Sequence, residues 1–264
     1  SEWEHCLTSV GVTKVIADKQ ALGNIEGLCD RLSIPISTVS GTLTDSVSLL
    51  PELSTTRRAM IVFTSGTTSK PKGAVTTHGN IAAQIETLIT AWEWHAEDVI
   101  PLFLPLHHVH GIINVLSCAL WAGATVYAMP KLDLTALCEQ VSADTFSVFM
   151  AVPTIYVKLI DHLETLEDEE LEGICEGFAN MRLNVSGSAA CPVGVIEEWR
   201  DLTGQMLLER YGMTEIGMAL SNPYRGERRP GYVGQALPDV AVRLVDEEGG
   251  IVTGEDTPGE IQIQ

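Results

Sequence analysis

Short apolar segments alternate along most of the chain with longer, more polar segments of helical length. The short segments predict buried strands at 14–17, 34–39, 59–63, 75–77, 99–104, 124–129, 146–152, 182–185 and 206–210. The longer segments predict helices at 3–10, 20–32, 80–94, 112–121, 134–141, 153–163, 164–176 and 192–203. Strands separated by helices of this length indicate parallel βαβ units. We therefore predict an α/β fold in which helices flank parallel sheets.

The pattern changes after Pro230. Residues 240–245 and 260–264 alternate between apolar and polar positions as β-strands do, and the sequence Glu-Glu-Gly-Gly at 247–250 is typical of a turn between them. We expect residues 1–230 to belong to one α/β domain. We expect residues 231–264 to begin a small β-barrel-like subdomain.

Charge and composition exclude several kinds of partner. The 264 residues include 16 Lys and Arg against 35 Asp and Glu, a net charge of −19, so nucleic acid and anionic membranes are disfavoured as partners. The longest apolar stretch, 112–129, contains Asn114 and Gly123, which favours a buried helix and strand over a transmembrane segment. Six cysteines without a Cys-x-x-Cys pair favour reduced thiols in an intracellular compartment over a disulfide or zinc framework.

A loop of small polar residues follows the apolar run that ends at Phe63. Residues 64–72 offer backbone N–H groups, hydroxyls and two ammonium groups, a combination that binds phosphate. The loop is not a Walker A loop, because Gly66 is followed by Thr-Thr-Ser-Lys-Pro-Lys-Gly. On composition alone, a solvated loop is an equally good interpretation.

Two further groups of residues follow predicted strands. The sequence Ser-Gly-Ser-Ala-Ala at 186–190 follows one strand, where small residues let a planar ligand approach the backbone of an open α/β sheet. The strand at 206–210 leads into Tyr-Gly-Met-Thr-Glu at 211–215. An aromatic ring, a hydroxyl and a carboxylate suit a base, a phosphate and a hard cation respectively.

Three histidines, His107, His108 and His110, fall within four positions and raise the hypothesis of a metal site. No further ligands or supporting carboxylates can be identified nearby, which weakens that hypothesis. For His107 and His110, packing or capping of the following helix is a strong alternative.

These blocks resemble the adenylate-forming acyl-CoA synthetase superfamily, the AMP-binding enzymes. Residues 63–75 are similar to the phosphate loop of that family, with Ser69 where the family usually has Gly, and residues 211–215 are similar to its adenine motif. The residues around His108 resemble a turn that lies beside the acyl tunnel. The resemblance implies an ATP-dependent acid–thiol ligase that forms an acyl-adenylate and then an acyl-CoA thioester, with ATP, Mg²⁺ and coenzyme A as its cofactors and substrates.

The resemblance also implies roles for individual residues. It implies that the phosphates of ATP are bound by Thr64, Ser65, Gly66, Thr67, Thr68 and Lys72. It implies that the adenine and AMP are bound by Gly187, Ser188, Ala189, Arg210, Tyr211, Gly212, Met213 and Thr214. Thr214, Glu215 and Lys72 are then the expected catalytic residues, and Glu215 is the expected Mg²⁺ ligand.

The arginines bear on the acid that is used. Arg225, Arg228 and Arg229 fall within five positions, and an unpaired guanidinium has no use in a fatty-acid pocket, whereas a dicarboxylate needs one. The sequence around Arg182 and Arg228 resembles the malonyl-CoA synthetase branch of the family. That resemblance implies malonate or methylmalonate as substrate, with His108, Arg182 and Arg228 at the acyl and distal carboxylate groups. Alternatively, the three arginines form a solvated basic loop or contact phosphates of coenzyme A.

The resemblance covers the central part of a large amino-terminal domain. The opening segment, the Asp that holds the ribose and the carboxy-terminal lid domain with its adenylation Lys are expected elsewhere in a longer parent enzyme. Other short-chain, medium-chain or aryl acyl-CoA synthetases and carrier-loading adenylation domains are the enzymatic alternatives, and a catalytically incompetent fragment is the non-enzymatic one. We expect a cytoplasmic or mitochondrial location, and the oligomeric state stays open.

Overall fold

The computed structural model describes residues 2–39, 51–64 and 70–264. The chain divides into two compact units, Ser1–His78 and Gly79–Gln264, and each is described by itself.

The first unit contains two small sheets. The first sheet consists of the parallel strands β1 (Val15–Ala17) and β2 (Ile36–Thr38). Helix α1 (Glu2–Ser9) precedes β1 in the chain, and helix α2 (Lys19–Leu32) connects β1 to β2. The Asp18 carboxylate caps α2 by accepting a 2.6 Å hydrogen bond from the N–H of Ala21. Strands β3 (Arg58–Thr64) and β4 (Lys72–Thr77) pair antiparallel, so the predicted phosphate loop connects two neighbouring strands.

The second unit alternates helices and strands as predicted. Its strands are β5 (Val99–Leu102), β6 (Thr125–Ala128), β7 (Val148–Ala151), β8 (Leu183–Ser186), β9 (Leu208–Met213), β10 (Gly217–Ser221), β11 (Gln235–Ala236), β12 (Val242–Val245) and β13 (Glu260–Ile263). Its helices are α3 (His78–Trp92), which starts at the last residue of the first unit, α4 (Cys118–Ala122), α5 (Leu134–Ser142), α6 (Pro153–Leu163), α7 (Asp168–Asn180) and α8 (Val193–Thr203), with a π-helix at His110–Ser117.

The central sheet has the order β11-β10-β9-β8-β7. Strands β7, β8 and β9 run parallel, which confirms the prediction of a parallel α/β sheet, and β10 returns antiparallel to β9. Strands β5 and β6 form a second parallel pair. The N–H of Ser147 donates a 3.0 Å hydrogen bond to the carbonyl of Val99, so this pair is joined to the start of β7.

Aromatic side chains fill the core between the sheet and helices α6, α7 and α8. Phe149, Tyr156, Phe178 and Trp199 are fully buried and meet edge to face, with ring centroids 4.7–5.8 Å apart. The Tyr156 hydroxyl donates a 2.9 Å hydrogen bond to the carbonyl of Val185, whereas Nε1 of Trp199 has no partner among the described residues. This packing holds the carboxyl ends of β8 and β9, from which the site residues extend.

The π-helix begins at His110, and Gly111 explains its close packing. A Cβ atom on Gly111 would lie 2.5 Å from the carbonyl oxygen of Pro105, so only glycine lets the two segments approach this closely. The structure divides the helix predicted at 112–121 between this π-helix and α4. The apolar pattern does not reveal that division.

The carboxy-terminal residues differ in part from the prediction. Strand β11 joins the central sheet through β10, while β12 and β13 form an antiparallel pair. The predicted hairpin is therefore present. That these residues begin a β-barrel-like subdomain stays a prediction, because β12 and β13 pair with each other and with no further strand among the described residues.

Candidate active site

The predicted phosphate loop connects the two strands of the second small sheet in the first unit. Thr64 is the last residue of β3 and pairs in register with Lys72, the first residue of β4. The Thr64 hydroxyl donates a 3.5 Å hydrogen bond to the backbone carbonyl of Lys72. The remaining predicted phosphate ligands lie outside the described residues; they are Ser65, Gly66, Thr67 and Thr68.

The adenine motif forms the end of β9 and the tight turn that follows it. Tyr211, Gly212 and Met213 close the strand, and Thr214 and Glu215 are the two central residues of a turn whose Ile216 N–H donates to the carbonyl of Met213 at 3.2 Å. This turn places Thr214 and Glu215 at the end of β9, where the chain passes into β10.

The small residues after β8 approach the same strand. A Cβ atom on Gly187 would lie 2.5 Å from Nε of Arg210, so the guanidinium packs directly on the glycine backbone. Ser188 adopts a left-handed backbone conformation with φ of 71°, a geometry that is uncommon for a residue with a side chain and is concentrated at functional sites. Ala189 follows it and is exposed.

Arg210 is a buried cation that forms no ion pair with any residue that the structure describes. The residue is 4% exposed, and its Nε and Nη2 atoms have no hydrogen-bond partner in the described part of the chain. Burial lowers the pKa of Arg210 to about 10, so the guanidinium is still charged at neutral pH. An unpaired buried charge is costly, and an anionic ligand would offset that cost.

His110 lies beside this cation. It is 3% exposed, its Nδ1 is 3.1 Å from the hydroxyl of Ser188, and its Nε2 has no partner among the described residues. Burial lowers the pKa of His110 well below its usual value, and the positive charges of Arg210 and His108 lower it further. The imidazole is therefore neutral at pH 7 and available for a hydrogen bond to a ligand.

The structure thus distinguishes the three histidines. His108, the predicted acyl-site residue, is exposed and its ring is 4.3 Å from that of His107, while His110 is the buried one that reaches the Ser188 loop. The described residues contain no group of three His, Cys, Asp or Glu side chains that could hold a metal ion. For His110, the sequence favoured packing or capping as a strong alternative to metal binding. The one local signal of tight packing there is the adjacent Gly111.

Arg182, which the sequence resemblance places at the distal carboxylate, forms hydrogen bonds within the fold, and its substrate role stays a prediction. Its Nε and Nη2 donate to both carboxylate oxygens of Asp98 at 2.7 and 2.5 Å, and its Nη1 donates to the carbonyl of Trp92 at 2.8 Å. The Asp98 side chain is fully buried and also accepts a 2.7 Å hydrogen bond from the hydroxyl of Ser147. Because each nitrogen of the guanidinium is used within the fold, this geometry does not favour a substrate contact by Arg182.

Arg228 binds backbone oxygen atoms. Its Nε, Nη1 and Nη2 donate to the carbonyls of Pro223, Met206 and Tyr224 at 3.2, 2.6 and 3.0 Å. Burial lowers its pKa, although the nearby Tyr224 raises it. The side chain therefore fixes the loop after β10 against the segment between α8 and β9, and its substrate role stays a prediction.

The other two arginines of this loop are exposed. Arg225 forms a bidentate ion pair with Glu93, at 2.6 and 2.5 Å, and Arg229 lies 4.4 Å above the ring of Tyr232. The sequence analysis considered four arginines for the acid substrate. The guanidinium groups of Arg182, Arg225 and Arg228 donate hydrogen bonds to protein oxygens, and that of Arg229 lies over Tyr232. Arg210, which the resemblance placed at the nucleotide, is buried, and its Nε and Nη2 have no partner in the described part of the chain.

An α/β sheet with a Tyr-Gly-Met-Thr-Glu turn at the end of a parallel strand defines the large domain of adenylate-forming enzymes. A family model described as AMP-binding enzyme matches residues 1–264, and the chain belongs to that family.

Several relatives act on malonate by name. Malonate–CoA ligase ACSF3, mitochondrial, from Bos taurus is 43% identical over 262 residues, which cover 94% of this chain and 44% of that protein. Probable CoA ligase CCL8 from Humulus lupulus is 45% identical over 223 residues, which cover 80% of this chain and 37% of that protein. The chain spans about half the length of the curated relatives it matches.

Solved structures agree with these matches. ATP-bound MatB from Rhodopseudomonas palustris superposes with a TM-score of 0.86 at 30% identity, over 99% of this chain and 52% of that chain. A malonyl-CoA ligase with methylmalonyl-CoA and AMP bound superposes with a TM-score of 0.84 at 32% identity, over 100% of this chain and 54% of that chain. Among the residues that the structure describes, no helix is both long and apolar enough to cross a membrane.

Proposed function

We propose that this chain is part of an ATP-dependent malonate–CoA ligase. The enzyme activates one carboxylate of malonate or methylmalonate as an acyl-adenylate and then transfers the acyl group to the thiol of coenzyme A. The relatives named above support a CoA ligase, and one observation within this chain supports a dicarboxylic acid: the buried, charged and unpaired guanidinium of Arg210.

The acid is inferred from the electrostatics around Arg210. Malonate has a second carboxylate that stays charged when the first reacts, and a planar guanidinium binds such a group through two parallel hydrogen bonds. The neutral ring of His110 and the hydroxyl of Ser188 supply hydrogen bonds but no competing positive charge. A fatty acid or an aryl acid would leave Arg210 unpaired, so the site disfavours the alternative acids.

The proposed nucleotide roles follow the family motifs. Lys72 and Thr64, together with Ser65, Gly66, Thr67 and Thr68, hold the β- and γ-phosphates. Tyr211 stacks on adenine with Gly187, Ser188, Ala189, Gly212 and Met213 around the base and ribose, and Thr214 binds the α-phosphate.

We propose Mg²⁺ as the metal of the reaction. A single exposed carboxylate, that of Glu215, fits this ion, because Mg²⁺ commonly binds one or two protein carboxylates and completes its coordination with phosphate oxygens and water. When bound, the ion neutralises charge that develops on the phosphates. Thr214 precedes Glu215 in the turn, and its hydroxyl orients the phosphate that is attacked.

The parent enzyme is longer than this chain. We propose that the strand pair β12–β13 begins a small β-barrel-like subdomain there, and that a carboxy-terminal lid completes the active site. The vertebrate relatives are mitochondrial by name, and we propose an intracellular location in line with them.

A comparison of arginine variants in the full-length protein tests the dicarboxylate assignment. In Arg210→Met the second carboxylate of malonate loses its partner. A hydrogen bond to a charged group contributes about 1.5–3 kcal/mol, so kcat/KM for malonate should fall roughly 10- to 150-fold. The KM for ATP should change little. Arg200→Met is the matched control, because Arg200 is exposed and pairs only with its neighbour Asp201. The assay is malonyl-CoA formation at varied malonate and varied ATP.

The same assay separates the competing interpretations. Activity with octanoate or benzoate that exceeds activity with malonate in the unmodified enzyme would contradict the proposed substrate. If Arg228→Met raises the malonate KM and Arg210→Met does not, the carboxylate site lies at Arg228, as the sequence resemblance implied. If Arg210→Met raises the KM values for ATP and malonate equally, Arg210 serves the nucleotide.

A further inference from the structure

The outer edge of strand β10 is completed by a side chain from a helix. Strand β11 pairs with Leu220 and Ser221, and the N–H of Leu237 donates to the carbonyl of Ala219 at 2.9 Å, after which β11 no longer covers the edge. At the next position, Met218, the carboxamide of Gln84 takes over. The Met218 N–H donates to Oε1 of Gln84 in a short hydrogen bond, and Nε2 of Gln84 is 3.5 Å from the Met218 carbonyl.

The carboxamide therefore has the same two functions as a residue of a neighbouring strand. It accepts from one backbone N–H and reaches the carbonyl of the same residue, which is how strand partners pair. Without it, the Met218 N–H would be an unpaired donor at a buried position, which is unfavourable.

The surrounding residues are adapted to this contact. Gly217 has a left-handed φ of 71°, and a Cβ atom there would collide with Oε1 of Gln84. Helix α3 also contacts β10 at its far end, where Nε1 of Trp92 donates a 3.0 Å hydrogen bond to the hydroxyl of Ser221. The helix thus holds the strand at two points, and Gln84 holds the end that is nearest to the Thr214–Glu215 turn.

The position of that turn depends on the two strands it joins. Strand β8 pairs with Leu208 and Glu209 at the start of β9, so the end of β9 next to the turn is paired only with β10 among the described residues. Gln84 contacts the first residues of β10 from outside this β9–β10 pair. We infer that Gln84 is a positioning residue for adenylation, because it fixes the start of β10 and thereby the Thr214 hydroxyl and the Glu215 carboxylate. This inference rests on the nucleotide roles proposed above for that turn.

Two Gln84 variants and a control separate positioning from general stability. Gln84→Leu removes both polar contacts at similar volume, Gln84→Glu keeps the acceptor for the Met218 N–H, and Glu86→Gln changes an exposed residue on the same helix. In the full-length protein we measure malonate-dependent exchange between ATP and pyrophosphate at varied Mg²⁺, the melting temperature, and hydrogen exchange of the peptide that contains Met218.

We expect Gln84→Leu to lower the kcat of ATP–pyrophosphate exchange about tenfold or more, because the loss of a backbone hydrogen bond corresponds to a factor of that size. The variant should also need a higher Mg²⁺ concentration for its half-maximal rate. Its KM for malonate should stay within about twofold of that of the unmodified enzyme. The Met218 peptide should exchange hydrogen at least tenfold faster. Gln84→Glu should restore both rates to within about threefold of the unmodified enzyme, and Glu86→Gln should change neither.

Two results would overturn the inference. One is an unchanged exchange kcat and unchanged hydrogen exchange in Gln84→Leu. The other is an equal loss in Gln84→Leu and Gln84→Glu that follows the melting temperature, because that pattern indicates structural support alone. If the unmodified enzyme shows no malonate-dependent exchange, the proposed substrate fails, and the hydrogen exchange of the Met218 peptide with its rescue by Gln84→Glu still decides the inference about Gln84.

Discussion

Substitution of Arg182 by Met should destabilise the protein without an effect specific to malonate. The Asp98 side chain is 0% exposed and that of Arg182 is 15% exposed, so the variant leaves a buried carboxylate without its cation. Removal of one partner of a buried ion pair costs about 3–5 kcal/mol. We take about 3 kcal/mol, because the guanidinium is partly exposed and the Ser147 hydroxyl and the His95 N–H remain as donors to Asp98.

A melting curve measures this change. For a unit of this size, 1 kcal/mol shifts the melting temperature by roughly 2–4 °C, so Arg182→Met should melt about 6–12 °C below the unmodified protein. Arg200→Met is the control and should melt within about 2 °C of it, because its ion pair is exposed.

The loss of stability in Arg182→Met should depend on pH through the Asp98 carboxylate. Burial raises the pKa of Asp98, but hydrogen bonds from Arg182, His95 and Ser147 outweigh it and hold the folded-state pKa below the usual value. The ion pair therefore stabilises the fold above the unfolded pKa, about 3.9, and its contribution is lost as the pH falls through the lower folded value. In Arg182→Met burial raises the pKa of Asp98, so the difference in stability should be largest near pH 7 and should narrow toward pH 4.

The Arg182 and Arg210 variants should differ in melting temperature. Replacement of an unpaired buried cation by an apolar side chain of similar volume is often neutral or stabilising, so Arg210→Met should not melt lower than the unmodified protein. If Arg182→Met melts normally and raises the malonate KM tenfold, the ion pair has no structural role and Arg182 belongs to the acyl site. A difference in stability that does not change with pH would also refute the account.

Three further predictions concern single buried contacts. Gly187→Ala should lower malonate kcat/KM at least tenfold in the malonyl-CoA assay, because the added Cβ would lie 2.5 Å from Nε of Arg210 and displace the guanidinium. Cys118 should resist iodoacetamide at pH 8 in the native protein and react after denaturation, as detected by mass spectrometry, because burial raises its pKa to about 12. Trp92→Phe should reduce the free energy of unfolding by about 1–2 kcal/mol, seen as a lower melting temperature, since it removes the buried hydrogen bond to Ser221.

Each has a direct control. Gly194→Ala adds a methyl group where no atom lies within 4 Å, so it should leave malonate turnover unchanged. Rapid native labelling of Cys118 would contradict its burial. A Trp92→Phe variant as stable as the unmodified protein, compared with the same change at the exposed Trp121, would show that the hydrogen bond contributes nothing.

The sequence alone determined most of the secondary structure and the family motifs. Period and segment length predicted nearly every helix and strand of the α/β part, because strands buried on both faces and helices of ten or more residues leave strong local patterns. The motifs at 63–75 and 211–215 were equally visible. Strand β10 was missed, because the turn at 214–216 has no Asn-Gly or Asp-Gly pair and only the structure shows that Gly217 adopts a positive φ at the start of a strand.

The tertiary structure decided which charged residues have partners. Arg182, Arg210 and Arg228 are the same residue type, yet Arg182 pairs with the buried Asp98, Arg228 binds backbone carbonyls, and Nε and Nη2 of Arg210 have no partner among the described residues. The contacts of Arg182 with Asp98 and of Arg228 with Met206 join residues that are 84 and 22 positions apart, which no local pattern records. Burial then determines the free energy of each charge, so the proposed site follows from packing, whereas the family follows from the sequence.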